Sequence, residues 1–124
     1  MLLVEEKPDF DYVMRGADGH SARVNDEVLA RSFIITPDRL IRDWPVRTLA
    51  ELDPAALDAL LALAPEVVLL GTGATQDFPH PAVMAACLQR GIGIECMANA
   101  AAARTYNVLA GEGRRVVAAF VLGG

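Results

Sequence analysis

The spacing of apolar positions changes character partway along the chain. In the first 47 residues apolar residues come in short runs broken by turn formers, a pattern of small strands. Phe10 to Met14 predicts a strand, Gly16-Ala17-Asp18-Gly19 a turn, and His20 to Val24 a loosely alternating strand that ends at Asn25-Asp26. Ser32 to Thr36 is rich in β-branched and aromatic residues, and Pro37-Asp38 turns it into a strand over Leu40 to Trp44, stopped by Pro45. An antiparallel meander of small hairpins follows from this.

From Leu52 the period lengthens. Leu57, Leu60, Leu61 and Ala64 repeat at i, i+3, i+4 and i+7, the stripe of a helix lying on a core. Asp53 is placed to cap its first amides, Pro54 suits its first turn, and Pro65 ends it. Then comes EVVLLGTG, in which Val67 to Leu70 is unbroken apolar sequence between Pro65 and two glycines. That is the signature of a central strand covered on both faces. A polar loop runs from Ala74 to Pro79, a helix from Pro81 to Arg90 with Gly91 at its end, and a short strand from Gly93 to Met97. Asn99 is expected to cap a helix over Ala100 to Ala110, closed by Gly111 and Gly113, before a doubly buried strand within Arg115 to Leu122. The order β-α-β-α-β implies neighbouring parallel strands, with the direction of the last strand left open. The expectation is one α/β domain over residues 1–124: a β-rich meander over 1–47 and an α/β core over 48–124.

Composition narrows the function classes. With 53% apolar and 22% charged residues in 124, the chain has the make-up of an ordinary globular domain. Residues 1–65 carry seven basic and twelve acidic side chains, which accounts for the whole net charge of −5, and the rest is balanced. No basic patch points to nucleic acid, and an acidic first half argues against anionic membrane surfaces. No apolar run approaches the ~20 residues of a membrane span. MLLVEEKPDF has no basic region ahead of its apolar residues, so no signal peptide is expected. Two cysteines, Cys87 and Cys96, are too few for a disulfide framework, and the expected compartment is the cytoplasm. Ten arginines against one lysine, with abundant alanine, fit a GC-rich bacterial source.

Candidate chemistry gathers after the central strand. Gly71-Thr72-Gly73 sits where strand-end glycines can bring backbone amides to a phosphate, although Gln76 replaces the last glycine of a dinucleotide fingerprint. The plainer reading is a tight turn off a buried strand. Thr75, Asp77 and His80 share that loop, and Asn99 opens the following helix. His20 and His80 lack metal-ligand spacing, no Cys-x-x-Cys exists, and no nucleophile-base constellation stands out, so neither a metal nor a cofactor is expected. Cys87 and Cys96 read as covered and unreactive. Ala103, Tyr106 and Ala110 share a helix face with Asn107 at its edge, where polar groups either tie the helix to a neighbouring loop or, with Arg104, contact a ligand or partner. A crevice formed by Gly71, Thr72, Gly73, Thr75, Asp77, His80, Asn99, Arg104 and Asn107 is the candidate ligand or partner site.

These residues carry a resemblance. LLGTG, then RGIGIECM, then RTYNVLAGEGRRVVAAFV, together with FIITPDRLIRDWPV, resembles the Mth938-like domain family, small α/β domains of unknown biochemical activity that include a human mitochondrial assembly factor for respiratory complex I. Gly71-Thr-Gly73, Arg90-Gly91 and Thr105-Tyr106-Asn107-x-Leu109 with Glu112-Gly113-Arg114 are the most specific pieces. The resemblance implies a three-layer α/β fold with a mixed, largely parallel central sheet and an antiparallel N-terminal part. It supplies no catalytic residues. The expectation is therefore a non-enzymatic protein-interaction domain, an assembly or membrane-protein biogenesis factor. Its partner would be a respiratory-complex or membrane-biogenesis component, without direct membrane insertion. The alternative is a small-ligand or phosphate-binding protein or enzyme using the crevice.

Overall fold

The computed structural model describes residues 9–123; the reading of the N-terminus as free of a signal peptide falls mainly on residues outside that range. Among the described residues eight strands and three helices follow one another as β1 (Met14–Ala17), β2 (Ala22–Val24), β3 (Glu27–Leu29), β4 (Phe33–Thr36), β5 (Arg39–Ile41), α1 (Pro54–Leu61), β6 (Val67–Gly71), α2 (Pro81–Gln89), β7 (Gly93–Met97), α3 (Asn99–Gly111) and β8 (Val116–Phe120), with a 3-10 turn at Leu49–Glu51 ahead of α1. They form two sheets. β1-β2-β3 is a small antiparallel sheet, and β5-β4-β8-β6-β7 is the main one.

The main sheet is mixed, since β6 runs parallel to both β7 and β8, whereas β4 is antiparallel to β8 and β5. The last strand is therefore parallel to β6, and β8 occupies the middle of the sheet with β6 beside it. β6 is still interior and doubly covered, as its unbroken apolar run requires. Val67 and Leu69 join one core while Val68 and Leu70 join the other. β8 divides the same way, with Val116, Ala118 and Phe120 on the first face and Val117 and Ala119 on the second. One face carries α1 and α2 with Trp44, and the other carries α3 and the small sheet. That makes three layers. Phe33 and Phe120 stack on the α3 side with centroids 5.0 Å apart.

Several boundaries differ from the sequence expectation. The first strand begins at Met14, not Phe10, and takes in Gly16 and Ala17, with the register slipping at Arg15 so that the turn shrinks to Asp18–Ser21. The second starts at Ala22 rather than His20. The strand after Pro37-Asp38 stops at Ile41; Trp44 leaves the sheet and donates its indole N–H to Ala56 O (3.3 Å), filling the space under α1. The meander is split, because β4 pairs with β8 and not with the small sheet. Asp53 caps α1 by accepting from Ala56 N at 2.8 Å, but Ala64 is no part of the stripe: it is exposed and in the left-handed region, φ 54°.

Candidate functional site

After β6 the chain enters α2 on one face and returns from β7 through α3 on the other. The carboxyl end of β6 is thus a point where the strand order reverses, the usual place for a ligand crevice in an α/β sheet. Here the chain fills the space itself. Asn99 is fully buried; its amide donates to Asp18 O (2.8 Å) and Val121 O (3.0 Å), and its Oδ1 accepts from Gly73 N (3.1 Å). Asn99 is accordingly not a helix cap. The capping position is Ala98, and the Asn99 side chain instead points inward to join the small sheet, the end of β8 and the Gly-Thr-Gly turn.

The two glycines serve different needs. A Cβ on Gly71 would lie 2.9 Å from the Phe120 ring and closer still to Asn99 Oδ1, so close approach demands glycine there. Gly73 has open space around it but a φ of 111°, which disfavours any side chain. The amides that would have faced a phosphate are occupied, with Thr72 N donating to Met97 O (2.9 Å) and Gly73 N donating to Asn99.

The loop beyond is equally tied down. The Thr72 hydroxyl donates to Thr75 O (2.7 Å) and accepts from Asp77 N (3.0 Å). Gln76 reaches the β7 edge and donates to Cys96 O (3.0 Å). The Asp77 carboxylate accepts from Phe78 N, and His80 Nδ1 accepts from Ala82 N (3.0 Å), which starts α2. Gly19, in the Asp18–Ser21 turn, lies against Ala74 and closes the near side. Gly71, Thr72, Gly73, Thr75 and Asn99 are brought together, with Asp77 attached through Thr72, whereas His80 is committed to its helix.

Asn107 lies farther along α3, where its side chain mimics a strand partner, accepting from Met14 N (2.9 Å) and donating to Met14 O (2.7 Å). Tyr106 lies beside it and donates its hydroxyl to Tyr12 O at 2.6 Å. Burial, followed by the charge of Asp38, pushes the Tyr106 phenol well above its ordinary pKa. Arg104 is exposed on the same helix. Burial raises the pKa of both Cys87 and Cys96, the thiols lying under α2 with Cys96 Sγ 3.8 Å from Met84 Sδ. Among the described residues no group of three or more His, Cys, Asp or Glu side chains could hold a metal ion, and no buried side-chain nitrogen or oxygen lacks a hydrogen-bond partner. No described helix is long and apolar enough to cross a membrane.

Sequence reasoning missed Asp18 and Gln76 as parts of this joint. Asp18 opens a turn by accepting from His20 N (2.7 Å) and Ser21 N (2.8 Å), and its carbonyl meets a side chain 81 residues away. An Asp at a turn was visible, but the distant partner left no local mark.

The arrangement defines a three-layer mixed α/β domain whose sheet switch point is sealed by its own asparagine. The chain belongs to the family described as "Protein of unknown function (DUF498/DUF598)", whose profile matches residues 14–121. It is similar to the solved structure of Xanthomonas campestris XCC1710, at 59% identity and TM-score 0.86, covering 100% of this chain and 94% of that one. The solution structure of a Bordetella pertussis protein, called a Mth938-like domain, is similar at 30% identity and TM-score 0.83, with coverage of 100% and 94%. Among curated proteins, the mouse NADH dehydrogenase [ubiquinone] 1 alpha subcomplex assembly factor 3 is 30% identical over 97% of this chain and 65% of its own length. The Francisella tularensis 13 kDa major membrane protein is 38% identical over 48% of this chain and 49% of its own. The chain thus spans between about half and two thirds of these curated relatives.

Proposed function

We propose that this chain is a non-enzymatic protein-interaction domain that acts as an assembly or membrane-protein biogenesis factor in the cytoplasm. The observation that carries the reading is the sealed switch point. Where an α/β enzyme keeps free amides and an open crevice, this chain spends Thr72 N, Gly73 N and the whole Asn99 amide on its own backbone. The family supports the role by analogy, since a relative of similar sequence over nearly the whole chain is called an NADH dehydrogenase subcomplex assembly factor. The reading of the same crevice as a phosphate or small-ligand site asks for the strand-end amides of Thr72 and Gly73, which are already engaged.

The surface offers an anchor for a partner. Phe78 is 63% exposed on a loop locked by Thr72, Gln76 and Asp77, so its ring is presented from a backbone with little freedom left to lose on binding. The test is affinity purification of the tagged chain from its native host, followed by mass spectrometry, with Phe78→Ala alongside. Enrichment of a respiratory or membrane-biogenesis component that drops in the variant is the expected result. Identical, background-level recovery from both proteins would contradict the proposal.

A further inference from the structure

A well-lined cleft lies at the other end of the sheet, remote from the Gly-Thr-Gly turn. Its volume is about 550 Å3, where the amino end of β8, the β4–β5 turn, the residues after α1 and the end of α3 converge. That volume is in the range of small-molecule sites. Phe10, Leu63 and Val116 supply apolar wall, and Phe10 is fixed by edge-on contact with the Tyr106 ring, 6.1 Å between centroids.

Three arginines stand around it: Arg39 from β5, and Arg114 and Arg115 from the segment leading into β8. Their commitments differ. Arg114 pairs with Glu66 at 3.5 Å. The Arg115 guanidinium donates only its Nε, to Ala64 O at 3.3 Å, while the Arg115 backbone N–H donates to Glu66 Oε1 at 2.8 Å. Among the described residues, neither the Arg39 nor the Arg115 guanidinium has a carboxylate within 4.0 Å. Opposing charge is present but partly engaged. Asp38 accepts from the Thr36 hydroxyl at 2.9 Å, and Asp9 is exposed at the rim. The carboxyl end of α3 would add negative potential, yet Val108, Leu109 and Ala110 carbonyls accept from Glu112, Arg114 and Gly113 amides. A helix dipole accounts for basic residues after α3; it gives no reason for Arg39, which comes from a different element.

We propose that this cleft binds a small amphipathic anion, its apolar body against Phe10, Leu63 and Val116 and its carboxylate or phosphate ester at Arg39 and Arg115. Charge-assisted hydrogen bonds from a guanidinium fork suit either head group. The proposal is independent of the interaction role and survives or fails separately from it.

The experiment is a titration of the uniformly labelled protein, followed by amide chemical shifts and melting temperature. The probes are decanoate and decyl phosphate, with decanol, decylamine and inorganic phosphate as controls. Both alkyl anions should raise the melting temperature and move amides in the stretches 36–39 and 113–117, leaving those of 71–77 unmoved. Arg39→Ala combined with Arg115→Ala should weaken both by about tenfold. The unaltered protein alone carries the mapping, so the inference does not depend on the variant folding. Equal effects from decanol or decylamine would remove the anion, and equal effects from inorganic phosphate would remove the apolar body. Neither alkyl anion perturbing any amide, or their perturbing the sheet-switch amides instead, would overturn the site. If decanoate alone acts, the head group is a carboxylate; if decyl phosphate alone acts, it is a phosphate ester, and either outcome upholds an amphipathic anion.

Discussion

Asn99 does what no neighbour in sequence could replace. Its amide satisfies two carbonyls and its oxygen one N–H, all in a fully buried position. Asn99→Ala would leave three orphaned groups, each worth about 1–3 kcal/mol when stranded. Urea denaturation should show a loss of about 3 kcal/mol or more; a loss below about 1 kcal/mol would mean that the joint carries no weight. Asp18 makes a smaller, pH-dependent contribution. The amides of His20 first and Ser21 second hold its carboxyl below the ordinary value of 3.8. A carboxyl depressed in the folded state stabilises above its unfolded pKa, and that stability is lost as pH falls through the lower folded value. In Asp18→Asn, the midpoint drop between neutral pH and the acid limb should be smaller than in the unaltered chain. An equal drop in both would show that Asp18 titrates no differently once folded.

The interior position of β6 was legible because four consecutive apolar residues between Pro65 and Gly71 admit no wet face. Its prediction belongs to the element. Val68 is fully buried among α1, α2 and β8 residues, so Val68→Asp would bury a carboxylate with no partner. The cost is several kcal/mol. Circular dichroism should show a sharply lowered melting temperature, and an unchanged one would remove β6 from the interior. α1 was equally legible, since Asp53-Pro54 is a start signal that acts locally. Asn99 misled for the converse reason: an Asn at a helix start fits a cap and an inward clamp alike, and only Asp18 and Val121, far away in sequence, distinguish them. The small strands failed by a residue or two. Each has three or four residues, so register rests on tertiary partners such as Asn107 against Met14, not on their own pattern.

On the scale of the whole molecule, the small sheet pairs no described strand with the main one; it is fastened through α3. Asn107 holds Met14, Tyr106 holds Tyr12, Asn99 holds the Asp18 turn, and the bidentate Glu27–Arg42 pair (2.7 and 2.9 Å) ties the rim. Fold class could be read from the alternation of elements and the resemblance to Mth938-like domains. The fate of the crevice could not be, because what fills it arrives from three distant stretches. The same geometry orders the functional readings: the sheet switch point is a structural joint, and the proposed binding sites lie on exposed surface and at the opposite end. A melting-temperature screen with nucleotides and sugar phosphates tests that claim most directly. A site at 100 times its dissociation constant would add about 2.7 kcal/mol. No shift that depends on Gly73 is expected with any of them. A reproducible shift that disappears in Gly73→Val, with folding intact, would contradict the claim.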